Sequence, residues 1–227
     1  MTFIQTFTSS IGKKLVMGIT GLSLIAFITV HVSINACIFA ADGGVMFNKA
    51  AHFMGSTVLI RIAEVGLFLG LLLHIIQGLV LSYQNLQARK TKYIVNNPSS
   101  NSTWYSRSMG ILGSILLFFL ALHLFHFWTK ARFGGDIPPV SIDGKEMHDM
   151  YQLMRLTFQE MWIVVVYVAG CLALAWHLVH GFHSSFRTVG VSSKKYLNFI
   201  GSVGIGFSIA VSLVFSLMPI ALHYGWV

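Results

Sequence analysis

Seven histidines fall inside the first four long apolar runs of this chain: His31, His74, His123, His126, His177, His180 and His183. An ionisable side chain in hydrocarbon is expensive and marks a functional position by default. Neutral imidazole escapes most of the cost of burying a charge and is the commonest protein ligand for metals. Two imidazoles facing each other at one depth, from different helices, are what a six-coordinate haem iron requires, because the porphyrin fills four positions and leaves two axial ones. The spacing "LALAWHLVHGFHSSFR" (172–187) offers three candidates on a single helix, so the elements that carry them must decide between them.

Those elements are membrane helices. With 55% hydrophobic and 10% charged residues and a mean hydropathy of +0.73, the 227 residues are too apolar for a soluble domain. Apolar stretches run over about 12–39, 57–83, 108–128, 161–186 and 197–223, each reaching the roughly 20 residues that cross a bilayer as a helix. The expected fold is an all-α membrane protein of one domain, 1–227, with five transmembrane helices, the first four bundled around two stacked haems. Five spans put the termini on opposite sides.

Charge sets the orientation. Counting ends and loops in alternation, one side holds Lys13, Lys14, Arg89, Lys90, Lys92, Arg107, Arg187, Lys194 and Lys195 and no acid. The other holds all seven acids, Asp42, Glu64, Asp136, Asp143, Glu146, Asp149 and Glu160, among fewer cations. The positive-inside rule makes the N-terminus cytoplasmic and the C-terminus external in a multi-pass membrane protein. The net charge of +8 is then a topology signal and a candidate docking face, and no aromatic-basic motif points to nucleic acid. Lys13 and Lys14 precede an apolar run ending near "INAC", but the run is too long for a signal sequence and contains His31, which favours a retained first helix. Cys37 and Cys171 form no disulfide framework, CxxC pair or CxxCH motif.

Depth then sorts the histidines. At about 1.5 Å per residue, His31 lies roughly 28 Å from Gly12 and His123 roughly 24 Å from Arg107, both in the external half. His74 lies roughly 20 Å from Arg61 and His177 roughly 22 Å from Trp162, entering from outside, in the cytoplasmic half. Two levels with two histidines each would form an electron wire across the bilayer.

Small residues favour His177 over its neighbours. A flat, wide porphyrin needs a low helix face around its axial ligand. Steps of four through His74 meet Gly66, Gly70 and Gly78, and through His177 they meet Ala169, Ala173 and Gly181. The same step through His180 meets Leu172, Trp176 and Ser184, and through His183 it meets Val179 and Arg187. Such stripes also serve plain helix packing. His180, about 60° around the helix, suits a role beside the ligand, at a propionate or a quinone, and His183 the cytoplasmic interface.

"GLSLIAFITVHV" (21–32), "HIIQG" (74–78), "LHLFHFW" (122–128) and "HLVHGF" (177–182) together resemble the dihaem cytochrome b membrane anchor of bacterial succinate dehydrogenases and fumarate reductases, in its single-chain, five-helix form. The resemblance covers essentially the whole chain. It implies two haem b groups, the distal one held by His31 and His123 and the proximal one by His74 and His177, with His126 the competitor to His123. It also implies a flavoprotein subunit carrying FAD, an iron-sulfur subunit on the cytoplasmic face, and a quinone, usually menaquinone in five-helix members. The chain itself has no dicarboxylate or flavin site, so its share of the chemistry is quinone reduction or oxidation. Some dihaem members carry a buried glutamate near the helix-4 ligand for proton movement; Leu174, Ala175 and Trp176 stand there instead.

Glu64 is the one acid well inside a span, roughly 15 Å outward of His74, and is the candidate for proton exchange with an external quinone. Pairing with Arg61, one turn away, is the competing role, and His52 in "AAHFMG" is a weaker candidate. Two other classes stand beside this reading: a dihaem anchor of a hydrogenase or formate dehydrogenase, and a haem-free transporter using histidines as proton relays.

Overall fold

The computed structural model describes residues 9–88 and 107–227. Among them, five helices are long and apolar enough to cross a membrane: Ser10–Ala40, Val58–Gln87, Met109–Phe133, Met161–Thr188 and Lys194–His223. They lie within a few residues of the stretches expected from hydropathy, and the chain is an all-α, multi-pass membrane protein. The basic loop residues Arg89, Lys90 and Lys92 lie outside the described residues.

The first span is α1 (Ser10–Asn35) continued by a 3-10 turn at Ala36–Ala40. Its start is capped by Ser9, whose hydroxyl accepts from the Gly12 amide at 3.0 Å. A short helix, α2 (Val45–Ser56), leads to the second span, α3 (Val58–Ala88). The third span is α4 (Met109–His123), a π-helical turn (Leu124–Trp128) and α5 (Thr129–Phe133). The next segment, between the third and fourth apolar stretches, holds a hairpin of β1 (Pro139–Ile142) and β2 (Lys145–His148), then α6 (Met150–Thr157). The strands pair antiparallel, Ile142 opposite Lys145, and Asp143 and Gly144 turn between them at φ +53° and +73°, the conformation for which Asp-Gly is the favoured pair. The fourth and fifth spans are α7 (Met161–Thr188) and α8 (Lys194–His223).

In hydrocarbon every backbone group must find its partner within the segment, so these runs form helices. Their hydroxyls follow suit: Thr29, Ser33, Ser208 and Ser216 each donate to the carbonyl four residues back. The first four spans pack as a ring, first on second, second on third, third on fourth and fourth on first, while the fifth lies mainly along the fourth. Glycines decide the close approaches. A methyl at Gly18 would meet Thr188 Cγ2 at 3.1 Å, one at Gly21 Ser185 Oγ at 2.9 Å, one at Gly170 the Phe119 ring at 2.5 Å, and one at Gly204 the Phe182 ring at 2.8 Å. This is small-residue packing of membrane helices, and it uses glycines other than those in the stripes through His74 and His177.

α2, the hairpin and α6 close one end of the bundle. Buried Asn48 ties α2 to the start of α6: its side-chain amide donates to Asp149 Oδ1 at 2.9 Å and its side-chain carbonyl accepts from the Tyr151 amide at 3.0 Å. Beneath, Ile38, Phe47, Tyr151, Met154, Phe158, Ile163, Val164, Tyr167, Met218 and Leu222 make the main apolar core. At the opposite end are Lys13, Lys14, Arg107, Arg187, Lys194 and Lys195, near the termini of the spans that begin or finish there; Lys13 reaches Gln84 Oε1 at 3.4 Å.

Candidate functional site

Histidines from diagonally opposite spans meet inside the ring. His31 of the first span faces His123 of the third, ring centroids 5.8 Å apart and planes at 86°. His74 of the second faces His177 of the fourth, at 6.2 Å and 66°. The two levels are distinct. The first span touches the lower pair at Thr20 and bears His31 eleven positions on; the fourth bears Tyr167 beside His123 and His177 ten positions on. Either count separates the levels by roughly 15 Å along the bundle.

The upper pair sits among aromatic rings. Phe27 stacks on His31 at 5.2 Å and Phe215, from the fifth span, tilts against it at 5.6 Å. Phe119 stacks on His123 at 5.8 Å, with Phe127 at 5.4 Å and Tyr167 at 6.0 Å. His126, on the π-turn that starts one residue past His123, points elsewhere. Its Nδ1 is 3.0 Å from the Tyr167 hydroxyl and its ring lies parallel to that of Tyr167. The structure therefore faces His123, and not His126, toward His31. No feature of "HLFHF" marks the π-turn, so the separation of these two imidazoles was not readable from sequence.

At the lower level, His74 Nδ1 is 3.2 Å from Thr20 Oγ1, whereas His177 Nδ1 is buried without a hydrogen-bond partner. The stripe glycines stand beside unfilled space. A methyl on Gly66 or Gly181 would meet no heavy atom within 4 Å, one on Gly70 only Ser23 Oγ at 3.8 Å, and one on Gly78 only Met17 Cε at 3.9 Å. Ala173 is buried. His180 and His183 turn toward the fifth span and line a cleft of about 170 Å³ with Val179, Gly201 and Ile205. His180 therefore lies beside His177 on the fourth span, about 60° around the helix and turned toward the fifth span, and His183 shares its cleft.

Glu64 has stronger partners than the neighbour expected for it. Arg132 grips both carboxylate oxygens, Nε to Oε1 at 3.1 Å and Nη2 to Oε2 at 2.8 Å, and the Trp128 indole donates to Oε1 at 2.6 Å. Arg61 Nε is farther, 3.6 Å from Oε2. Arg132 also donates to the Gly55 carbonyl at 3.3 Å, so the clamp joins the second span, the third span and the end of α2. Trp128 is the last residue of the π-turn and Arg132 lies four residues beyond it. That turn resets the helix face, which is why the sequence reading missed both.

The two pairs are suited to an axial role. A metal held between two imidazoles by bonds of about 2 Å sets the ring centroids roughly 6 Å apart, close to the spacing of both pairs. Among the described residues no cluster of three or more His, Cys, Asp or Glu could hold a bare ion. A donor set of two neutral imidazoles, an open glycine face and an apolar surround fits a group that brings its own four equatorial ligands.

Fold and site thus define a five-helix membrane protein with two histidine pairs stacked across its bundle. Over 168 residues, 73% of each chain, it is 24% identical to the succinate dehydrogenase cytochrome b558 subunit of Bacillus subtilis (strain 168). No family model and no solved structure matches the chain.

Proposed function

We propose that this chain is the membrane anchor and electron-transfer subunit of a succinate:quinone oxidoreductase in a bacterial cytoplasmic membrane. It binds two b haems, the distal one through His31 and His123 and the proximal one through His74 and His177. The observation that carries this reading is the pairing of histidines from non-adjacent spans at two levels, each pair at the spacing of an axial ligand set. The similarity to a cytochrome b558 subunit supports it.

When bound, the haems supply one-electron redox chemistry. The rest is the work of this chain. Gly70, Gly78 and Gly181 keep the faces around His74 and His177 low, and Ala173 keeps the helix slim one turn away. His180 belongs to the surroundings of the proximal group. Phe27, Phe119, Phe127 and Phe215 keep water from the distal pair.

The N-terminus is cytoplasmic. Lys13, Lys14, Arg107, Arg187, Lys194 and Lys195 receive the iron-sulfur subunit, which is joined to an FAD-bearing flavoprotein, through complementary charge. The capped end is external. There Glu64, fixed by Arg132 and Trp128, exchanges protons with a quinone of the menaquinone type.

Purification of the chain in detergent followed by haem extraction and a reduced-minus-oxidised spectrum tests the reading. Two low-spin b haems per chain are expected. One or none overturns the four-ligand scheme.

A further inference from the structure

We infer that Thr20 is a positioning residue for the His74 imidazole: it holds the proton on Nδ1 and so turns the Nε2 lone pair toward His177. The inference rests on the haem reading above and names a residue which that reading does not require.

Thr20 is buried, 8% exposed, in the middle of the first span. Its hydroxyl oxygen lies 2.7 Å from the Val16 carbonyl and 3.3 Å from that of Met17. A hydroxyl has one proton, and the short contact commits it to Val16. What Oγ1 can still offer is lone pairs, and His74 Nδ1 lies 3.2 Å away. The imidazole must therefore donate from Nδ1, which leaves Nε2 unprotonated. A metal requires that tautomer. Local packing holds the arrangement: Ser23 Oγ donates to the Thr20 carbonyl at 2.8 Å, and a methyl on the adjacent Gly21 would come within 3.9 Å of His74 Cε1.

The other three imidazoles lack this device. Nδ1 of His123 and of His177 is buried with no hydrogen-bond partner, and His31 Nδ1 has the Asn35 amide at 3.4 Å. A ligating imidazole that donates its second N–H is oriented and made more basic by its acceptor. A more basic ligand favours the oxidised iron, so the hydrogen bond from His74 should lower the potential of the proximal haem.

The test compares Thr20→Val and Thr20→Ser with the wild-type chain by haem content, redox titration and low-temperature EPR. Val keeps the shape and removes the acceptor; Ser keeps the acceptor. The expected result is two haems in each variant, a positive shift of one midpoint potential and a changed low-spin EPR signal in the Val variant, and recovery of both in the Ser variant. Loss of the proximal haem from the Val variant alone also supports the assignment. Unchanged potentials and spectrum in the Val variant, or equal changes in both variants, overturn it and leave the four-ligand scheme standing. A wild-type chain without haem would instead remove the scheme on which the inference rests.

Discussion

His74 and His177 come from spans that are diagonal in the helix ring, yet their rings lie 6.2 Å apart. The fourth span has three histidines within seven residues, and only His177 faces across the ring; His180 and His183 face the fifth span. His177→Leu should therefore remove one haem, the proximal, and His180→Leu should retain both with at most a shifted potential. Haem content and spectra of the two variants check this. Loss of haem from the His180 variant with retention in the His177 variant would reverse the assignment.

The same logic applies at the other level. His123 faces His31, while His126 is tied to the Tyr167 hydroxyl. His123→Leu should abolish the distal haem signal. His126→Leu should leave two haems, with a modest loss of stability from the broken hydrogen bond, about 1 kcal/mol. EPR of the low-spin signals distinguishes the outcomes, and a missing distal signal in the His126 variant would contradict the pairing.

Filling the low face should exclude the proximal haem without disturbing the helices. Gly181→Leu places its side chain where a methyl meets no heavy atom within 4 Å. The variant should insert and purify as a folded protein but bind one haem instead of two. Gly18→Leu is the control, because there the added carbon would start 3.1 Å from Thr188 Cγ2 and the first and fourth spans must separate. Overpacking of this kind costs about 1–3 kcal/mol, so that variant should lose thermal stability. Two haems in the Gly181 variant would mean the stripe has no bearing on the cofactor.

Glu64 can be separated into a clamp and a proton carrier by two substitutions. Arg132→Met leaves the carboxylate with only Trp128 and the more distant Arg61 and should destabilise the fold by roughly 1–2 kcal/mol, read from thermal unfolding in detergent. Glu64→Gln keeps the shape and the acceptor for Trp128 but cannot exchange a proton. In the assembled complex it should leave both haems reducible by succinate and slow electron transfer between haem and quinone. Wild-type quinone turnover in the Gln variant would leave Glu64 as a structural clamp alone.

Much of this was legible before any coordinates, for physical reasons. Apolar runs of bilayer length leave the backbone one option, so the five spans could be read to within a few residues, except that the third runs on to Phe133. Rise per residue turned position into depth, which put His31 at one level with His123 and His126 and His74 at another with His177, and left the choice between His123 and His126 to the resemblance. Azimuth was harder. The stripe of small residues selected His177 because an α-helix repeats regularly there, but the π-turn at Leu124–Trp128 breaks the repeat and hid the turning away of His126 and the approach of Trp128 and Arg132 to Glu64. Thr20 was invisible for another reason: threonine in a span commonly bonds its own helix, and only the three-dimensional packing brings His74 to it. α2, the hairpin and α6 carry no long apolar signal because they are short and held by tertiary contacts such as Asn48 to Asp149. The Asp143-Gly144 pair was the one local signal for the turn.

The central claim is that two histidine pairs each hold a haem, and haem stoichiometry with redox titration of the purified wild-type chain tests it most directly. The account predicts two b haems per polypeptide, both low-spin, titrating as two components. A single haem, a high-spin spectrum showing an open axial position, or a protein that folds without haem would contradict it.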